Sequence, residues 1–399
     1  MNLRSSLRTL IICAMAAGIS AAAQTQTTST PPAPEQAPST APASTPAATA
    51  PAAAPTPVPW RIIGLDVSGF LDGYYSYNAN NPTEAANGKT NDYYNFNDDA
   101  NQPGFNAAKL TLNHDPAWFG AHFDFVYGRT NRLMNAVNQL YYVEQAYISA
   151  KPKNWKGFEV DGGKWVTSAG AEVIEGKDNW NYSRSLLFAW AIPYWHFGAR
   201  TSMPVSKTDT IGLQLVNGWN NITVNTGGVT VGFTNALVEP KYTWNVNVYT
   251  GPSNTPSQNA YRNLFDTTIL LTPNTKFNAY INFDYAQNNN HISHGNGNDI
   301  TSHLDGLAFA AHEQLKGPHA IAGRIEFLDD QQGYSTGTAQ TLKEFTGTYE
   351  YKFKFGLISR LEYRRDWSDQ KSFHKSGDSM TDAQSTVSAG MILVLTPHR

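Results

Sequence analysis

Cysteine is almost absent: the single one in these 399 residues, Cys13, falls in the apolar part of an N-terminal leader. The exported chain therefore offers no disulfide, no thiolate nucleophile and no cysteine-bound metal. Also missing is any run of about 18 consecutive apolar residues, so no membrane-spanning helix is expected. Positive charge is scarce as well, with 29 Lys and Arg against 32 Asp and Glu, which argues against a nucleic-acid partner. No G-x-S-x-G elbow and no paired-carboxylate pattern points to hydrolytic chemistry.

What is present begins with MNLRSSLRTLIICAMAAGISAAA, in which Arg4 and Arg8 precede an apolar run that ends near Ile19, before Ala21, Ala22 and Ala23. Residues 1–23 read as a signal peptide for the general secretory pathway, cut after Ala23. The apolar run is shorter than the ~20 residues a spanning anchor needs, and Cys13 follows Ile12 rather than a small residue, unlike a lipoprotein. Residues 24–58 are almost entirely Ala, Pro, Thr, Ser and Gln, with Glu35 as the lone charge. That tract has too little apolar surface to offset its ordering entropy, so a disordered linker is expected.

From 59 to 399 the chain alternates. In EFTGTYEYKF (344–353), Phe345, Gly347, Tyr349, Tyr351 and Phe353 oppose Glu344, Thr346, Thr348, Glu350 and Lys352. In 358–367, Arg360, Glu362, Arg364 and Asp366 follow one another on the face opposite Leu361 and Tyr363. Sixteen such runs can be marked between 62–77 and 384–395, including 275–287 and 303–316, with fourteen to eighteen left open by the boundaries. Tight turns such as Glu239-Pro240 and Lys316-Gly317-Pro318 alternate with long polar loops at 78–103, 252–261, 287–302, 329–340 and 367–383.

A soluble sandwich buries its apolar faces, whereas a membrane barrel turns them to lipid and lines its interior with the polar ones. Strands of about ten residues, short turns at one end and long loops at the other fit the second. The fold class is thus all-β, a transmembrane antiparallel up-and-down barrel of about sixteen strands, wide enough for an aqueous channel. Tyr74, Tyr75, Tyr77, Tyr127, Tyr141, Tyr142, Tyr285, Tyr334, Tyr363 and Trp367 lie near strand ends, as in aromatic girdles.

One stretch does not alternate. Residues 168–194, SAGAEVIEGKDNWNYSRSLLFAWAIPY, would expose a large apolar patch as an outer loop. Folded inward, with a helical turn near 183–190, the segment becomes a constriction carrying Glu172, Glu175, Asp178 and Arg184. Opposite it would stand the wall residues Arg200, Arg324, Glu326, Arg360, Glu362, Arg364 and Asp366, so that charged rims select solutes. Trp180, Trp190, Trp195 and Trp219 are candidates for stacking sugars. Three other readings remain: a barrel enzyme using Ser183 and His196, a secreted carbohydrate-binding β protein, and a metal site at His291, His294, His303 and Asp299, against which the Gly- and Asn-rich surroundings argue.

The run 170–200, with SGFLDGYYSYN (68–78) and LVNGWNN (215–221), resembles the OmpL-like family of beta-barrel porins of bacterial outer membranes. The resemblance is carried by Glu172 or Glu175, Asn181, Ser183, Arg184, Ser185, Phe188, Pro193, His196, Gly198 and Arg200, and extends over the chain from about Leu65 to Leu395. It implies an outer-membrane pore for small hydrophilic solutes or ions, surrounded by lipid, with neither catalytic residues nor a cofactor. A homotrimer, common among sixteen-stranded porins, is a further expectation. The end of the chain, Leu395-Thr396-Pro397-His398-Arg399, departs from the aromatic terminus usual in such barrels.

Overall fold

The alternating runs pair with their chain neighbours, and the last returns to the first, closing a sixteen-stranded antiparallel barrel. The computed structural model describes residues 59–115, 118–134, 140–224, 228–253, 261–293 and 299–395. The signal-peptide and linker readings, His294 and the C-terminal 396–399 lie outside the described residues.

The first eight strands are β1 (Leu65–Asn78), β2 (Gln102–His114), β3 (Phe119–Tyr127), β4 (Val143–Ala150), β5 (Glu159–Val166), β6 (Trp195–Pro204), β7 (Asp209–Val216) and β8 (Thr230–Glu239). The second eight are β9 (Tyr242–Pro252), β10 (Tyr261–Leu271), β11 (Phe277–Ser293), β12 (Asp299–Gln314), β13 (His319–Asp330), β14 (Gln340–Lys352), β15 (Leu357–Ser368) and β16 (Ala383–Leu395). Closure runs from Thr386↔Asn78 to Leu395↔Gly69, leaving no free edge in the wall. Trp60–Ile62 adds a short hairpin arm to the start of β1.

Burial decides between sandwich and membrane barrel. On β15, Arg360, Glu362, Arg364 and Asp366 are 2, 2, 1 and 0% exposed, while Leu361 and Tyr363 between them are 56 and 42% exposed. On β14, Glu344, Thr346, Thr348 and Glu350 are buried, and Phe345 and Tyr349 are exposed. Charge inside and apolar outside is the arrangement that lipid favours and water opposes.

Three irregularities interrupt the ladders. The pairing shifts at Asp72/Gly73 against β2, at Asp124/Phe125 against β4, and between Asn288 and Ile292 against β12. The first two each insert an extra residue, Asn106 and Glu144, and both side chains end buried beside Asp72 and Lys109 respectively. Beyond the third, pairing resumes at Ile292↔Ile300, so β11 and β12 run past the 287 and 303 limits expected from sequence.

Outward tyrosines gather at the long-loop end, where Tyr75, Tyr77, Tyr127 and Tyr142 are exposed; Trp118, Trp155 and Phe355 stand outward at the short-turn end. Tyr74, expected in that girdle, is buried and donates to Asp99 (3.0 Å) instead.

Candidate functional site

The loop joining β5 to β6 is the aromatic stretch 168–194, and its burial contrasts with the exposed apolar strand faces. Within it Ser185 caps a one-turn helix, Leu186–Trp190, by accepting from the Phe188 N–H (2.9 Å). Leu186, Leu187 and Phe188 are buried in one cluster with Leu264, Leu304 and Leu328 of the wall. Gly306 on β12 makes room for this docking, because a Cβ there would meet Leu187 Cδ1 at 2.7 Å.

Charged wall residues hold the segment's backbone. Arg360 donates to the carbonyls of Gly176 (2.5 Å), Asn179 (2.6 Å) and Asn181 (3.3 Å). Arg364 donates to Arg184 O (2.7 Å), and Arg324 to Ser183 O (2.9 Å). The Glu362 carboxylate accepts from the N–H groups of Tyr182 (2.6 Å) and Ser183 (2.9 Å), and Glu326 from Leu187 N–H (3.2 Å). Gly170 N–H reaches Asp266 (3.0 Å) and Ala171 N–H reaches Asn282 (3.1 Å). A non-regular backbone buried at this depth must find such partners, and here the wall supplies them.

Side-chain anchors reinforce these bonds. Glu172 pairs with Arg324 (2.6 Å), whose guanidinium also binds Glu326 (2.5 Å) and Glu344 (2.8 Å). Tyr182 donates to Asp72 (2.6 Å); burial, with Asp72 beside it, pushes its hydroxyl well above the usual range, so it remains a donor. Glu175 pairs with Lys109, which also meets Asp124 (2.8 Å) and Glu144 (2.7 Å). Burial alone would push the Glu175 carboxyl up, but Lys109 and Lys177 hold it below the usual glutamate range. Asp124, Glu144 and Glu175 converge as a metal site would, yet the Lys109 ammonium already supplies the positive charge among them.

Other residues singled out by sequence fall elsewhere. Arg184 turns back on its own segment, donating to the carbonyls of Val173, Tyr182 and Ile174. Asp178 pairs with Lys177 (2.5 Å), and Asp366 with Arg364 (2.7 Å). Arg200 binds Asp161 (2.7 Å) and stacks on Tyr147 and Trp165, away from the segment. Ser183 and His196 are not brought together: Ser183 Oγ accepts from Arg324, whereas His196 contacts Thr167 and Gly218. His303 bonds the Tyr285 hydroxyl (2.8 Å).

The four tryptophans do not form a row. Trp180 stacks on Tyr280 and His312, Trp190 meets Tyr93 edge-to-face, and Trp195 is fully buried beneath Lys164. Trp219 packs against the Arg262 guanidinium. Lys109, Asp72 and Arg262 were missed by sequence reading, although strand alternation places each on the polar face. Beside the segment, Ser168, Thr210, Ile211, Thr234, Asn245 and Asn247 line an uncharged crevice with room for about one water molecule.

The model of the family described as "Putative beta-barrel porin-2, OmpL-like" matches residues 64–395. No curated protein matches the chain. Among solved structures, the anion-selective porin from Comamonas acidovorans is similar over 83% of this chain and 99% of its own, at 10% identity and a TM-score of 0.57. The trimer form of OmpT, an outer membrane protein of Vibrio cholerae, matches over 83 and 99% at 11% identity with a TM-score of 0.52. The outer membrane channel DcaP of Acinetobacter baumannii matches over 84 and 100% at 10% identity, again with 0.52. At these identities the likeness concerns the fold.

Proposed function

Because the chain belongs to the OmpL-like family of beta-barrel porins, we propose that it is a non-enzymatic pore for passive diffusion of small hydrophilic solutes or ions. The secretory pathway delivers it to the bacterial outer membrane, where the segment 168–194 narrows its channel. The observation that carries this reading is the inverted wall, charged residues inward and apolar residues outward around sixteen closed strands. A barrel of that size leaves an aqueous interior unless something fills it. The segment's bonds to wall residues on β1, β10, β11, β13 and β15 support a narrowing at that level. Residues 24–58 act as a tether, and the pores assemble as homotrimers.

Single-channel conductance of the mature chain in a planar bilayer tests the proposal. Discrete open steps are expected, and deleting 176–190 should enlarge them. Unchanged conductance in the deletion overturns the narrowing, and an inserted chain without current overturns the pore.

A further inference from the structure

The barrel's inward arginines are accounted for, with one exception. Arg200, Arg324, Arg360 and Arg364 each have a carboxylate partner, and Arg184 has three carbonyls. Arg262 shares the inward face of β10 with Leu264 and Asp266 but has no carboxylate partner among the described residues. Its guanidinium contacts two rings instead, 4.5 Å from the centre of Trp219 and 4.9 Å from that of Tyr334. Arg262 Nε and Trp219 Nε1 are both buried donors with no acceptor. Next to Arg262 across the sheet stand Asn288 and then Ser302, both fully buried, with Asn288 Oδ1 and Ser302 Oγ also unsatisfied.

The clamp is built rather than incidental. Asn220, beside Trp219, accepts from the N–H groups of Tyr194 (2.8 Å) and Trp195 (3.1 Å), fixing that loop to the start of β6. Asp330 accepts from the N–H groups of Tyr334, Ser335 and Thr336 (2.8, 3.0 and 2.7 Å), fixing the other ring. Arg262 is half-buried, and a cation with a buried donor and no counter-charge is costly. Two orphaned donors at its edge call for an acceptor carrying negative charge.

We propose that Arg262, Trp219 and Tyr334 form a binding site at the long-loop mouth of the barrel for the carboxylate of a small organic monoanion. Both rings lie against the guanidinium, and its N–H fork is the edge that matches a planar carboxylate. A lone cation balances one charge, which favours a monocarboxylate over phosphate. Asn288 and Ser302 offer hydrogen bonds to polar groups on the rest of the molecule.

Binding does not require conduction, so the test separates this site from the pore reading. Titration calorimetry on the purified full chain in detergent would compare sodium benzoate with sodium chloride and sodium phosphate at matched ionic strength. Saturable benzoate binding is expected, lost in Arg262→Gln and about tenfold weaker in Arg262→Lys, which keeps the charge but not the fork. Trp219→Phe, which keeps a ring and removes the N–H, should weaken binding severalfold while leaving heat-resistant barrel migration intact. Benzoate binding as tight in a folded Arg262→Gln or Arg262→Lys chain as in the wild type overturns the proposal. So does phosphate or chloride binding as tightly as benzoate.

Discussion

Arg324 is the residue on which the inner charge network turns, since Glu172, Glu326 and Glu344 all converge on its guanidinium. Replacing it with Gln would leave three buried acids around a neutral group. Removing one partner of a buried pair costs about 3–5 kcal/mol, so Arg324→Gln should lower barrel stability by that order in urea titrations in micelles. A loss below about 0.5 kcal/mol, the usual range for surface changes, would mean that water already reaches the network. The Lys109–Glu175 anchor predicts a pH response of definite sign. A carboxylate whose folded pKa is lowered contributes stability above its unfolded value and loses it only as pH falls through the folded one. Segment anchoring, read as conductance, should therefore hold steady from neutral pH to about pH 5, near the unfolded glutamate value, and give way only in stronger acid. Sequence alternation identified Arg324, Arg360 and Arg364 as inward, because period two fixes the face. Their partners could not be read: Glu172 and Arg324 are 152 positions apart, and nothing local reports a contact of that span. Arg184 illustrates the converse, a charge expected on the rim that is instead turned back by carbonyls of its own segment.

At the scale of elements, the segment 168–194 was legible as an anomaly because it broke the alternation, and its helical turn was expected within a few residues of Leu186–Trp190. Its seat was not legible, since that depends on the space left by a glycine on a distant strand. Gly306→Val puts this to the test. A Cβ at 306 would meet Leu187 Cδ1 at 2.7 Å and Phe327 O at 2.9 Å, and the second atom, being backbone, cannot swing aside. The helix should be pushed off its seat at a cost of about 1–3 kcal/mol, as for other overpacked sites. Protease cleavage within 176–190 of the folded barrel is the measurement, and faster cleavage than in the wild type is the expected result; an unchanged rate would show that the helix does not depend on that pocket. Strand ends were the least legible elements. The extension of β11 and β12 rests on pairing that resumes beyond a register shift, and the Asn- and His-rich sequence there reads as loop.

For the whole molecule, one question governs the rest: whether the outer face meets lipid or water. The wall's exposed apolar residues are numerous, and around sixteen closed strands with charge inside they are placed to meet lipid. Leu361 lies near the middle of β15, outward, between the inward Arg360 and Glu362. In water an exposed Leu→Arg change is nearly neutral, within about 0.5 kcal/mol. At the midplane of a bilayer the same change costs about 2–4 kcal/mol, falling off toward the interfaces. Leu361→Arg, measured by reversible unfolding of the barrel in phospholipid vesicles, should therefore destabilise by that larger amount. The same substitution at Leu395, which lies at the short-turn end of β16, should cost much less. Equal and negligible costs at both positions would place the apolar face in water and return the chain to the soluble β class. A cost that peaks at Leu361 fixes the wall across the hydrocarbon layer.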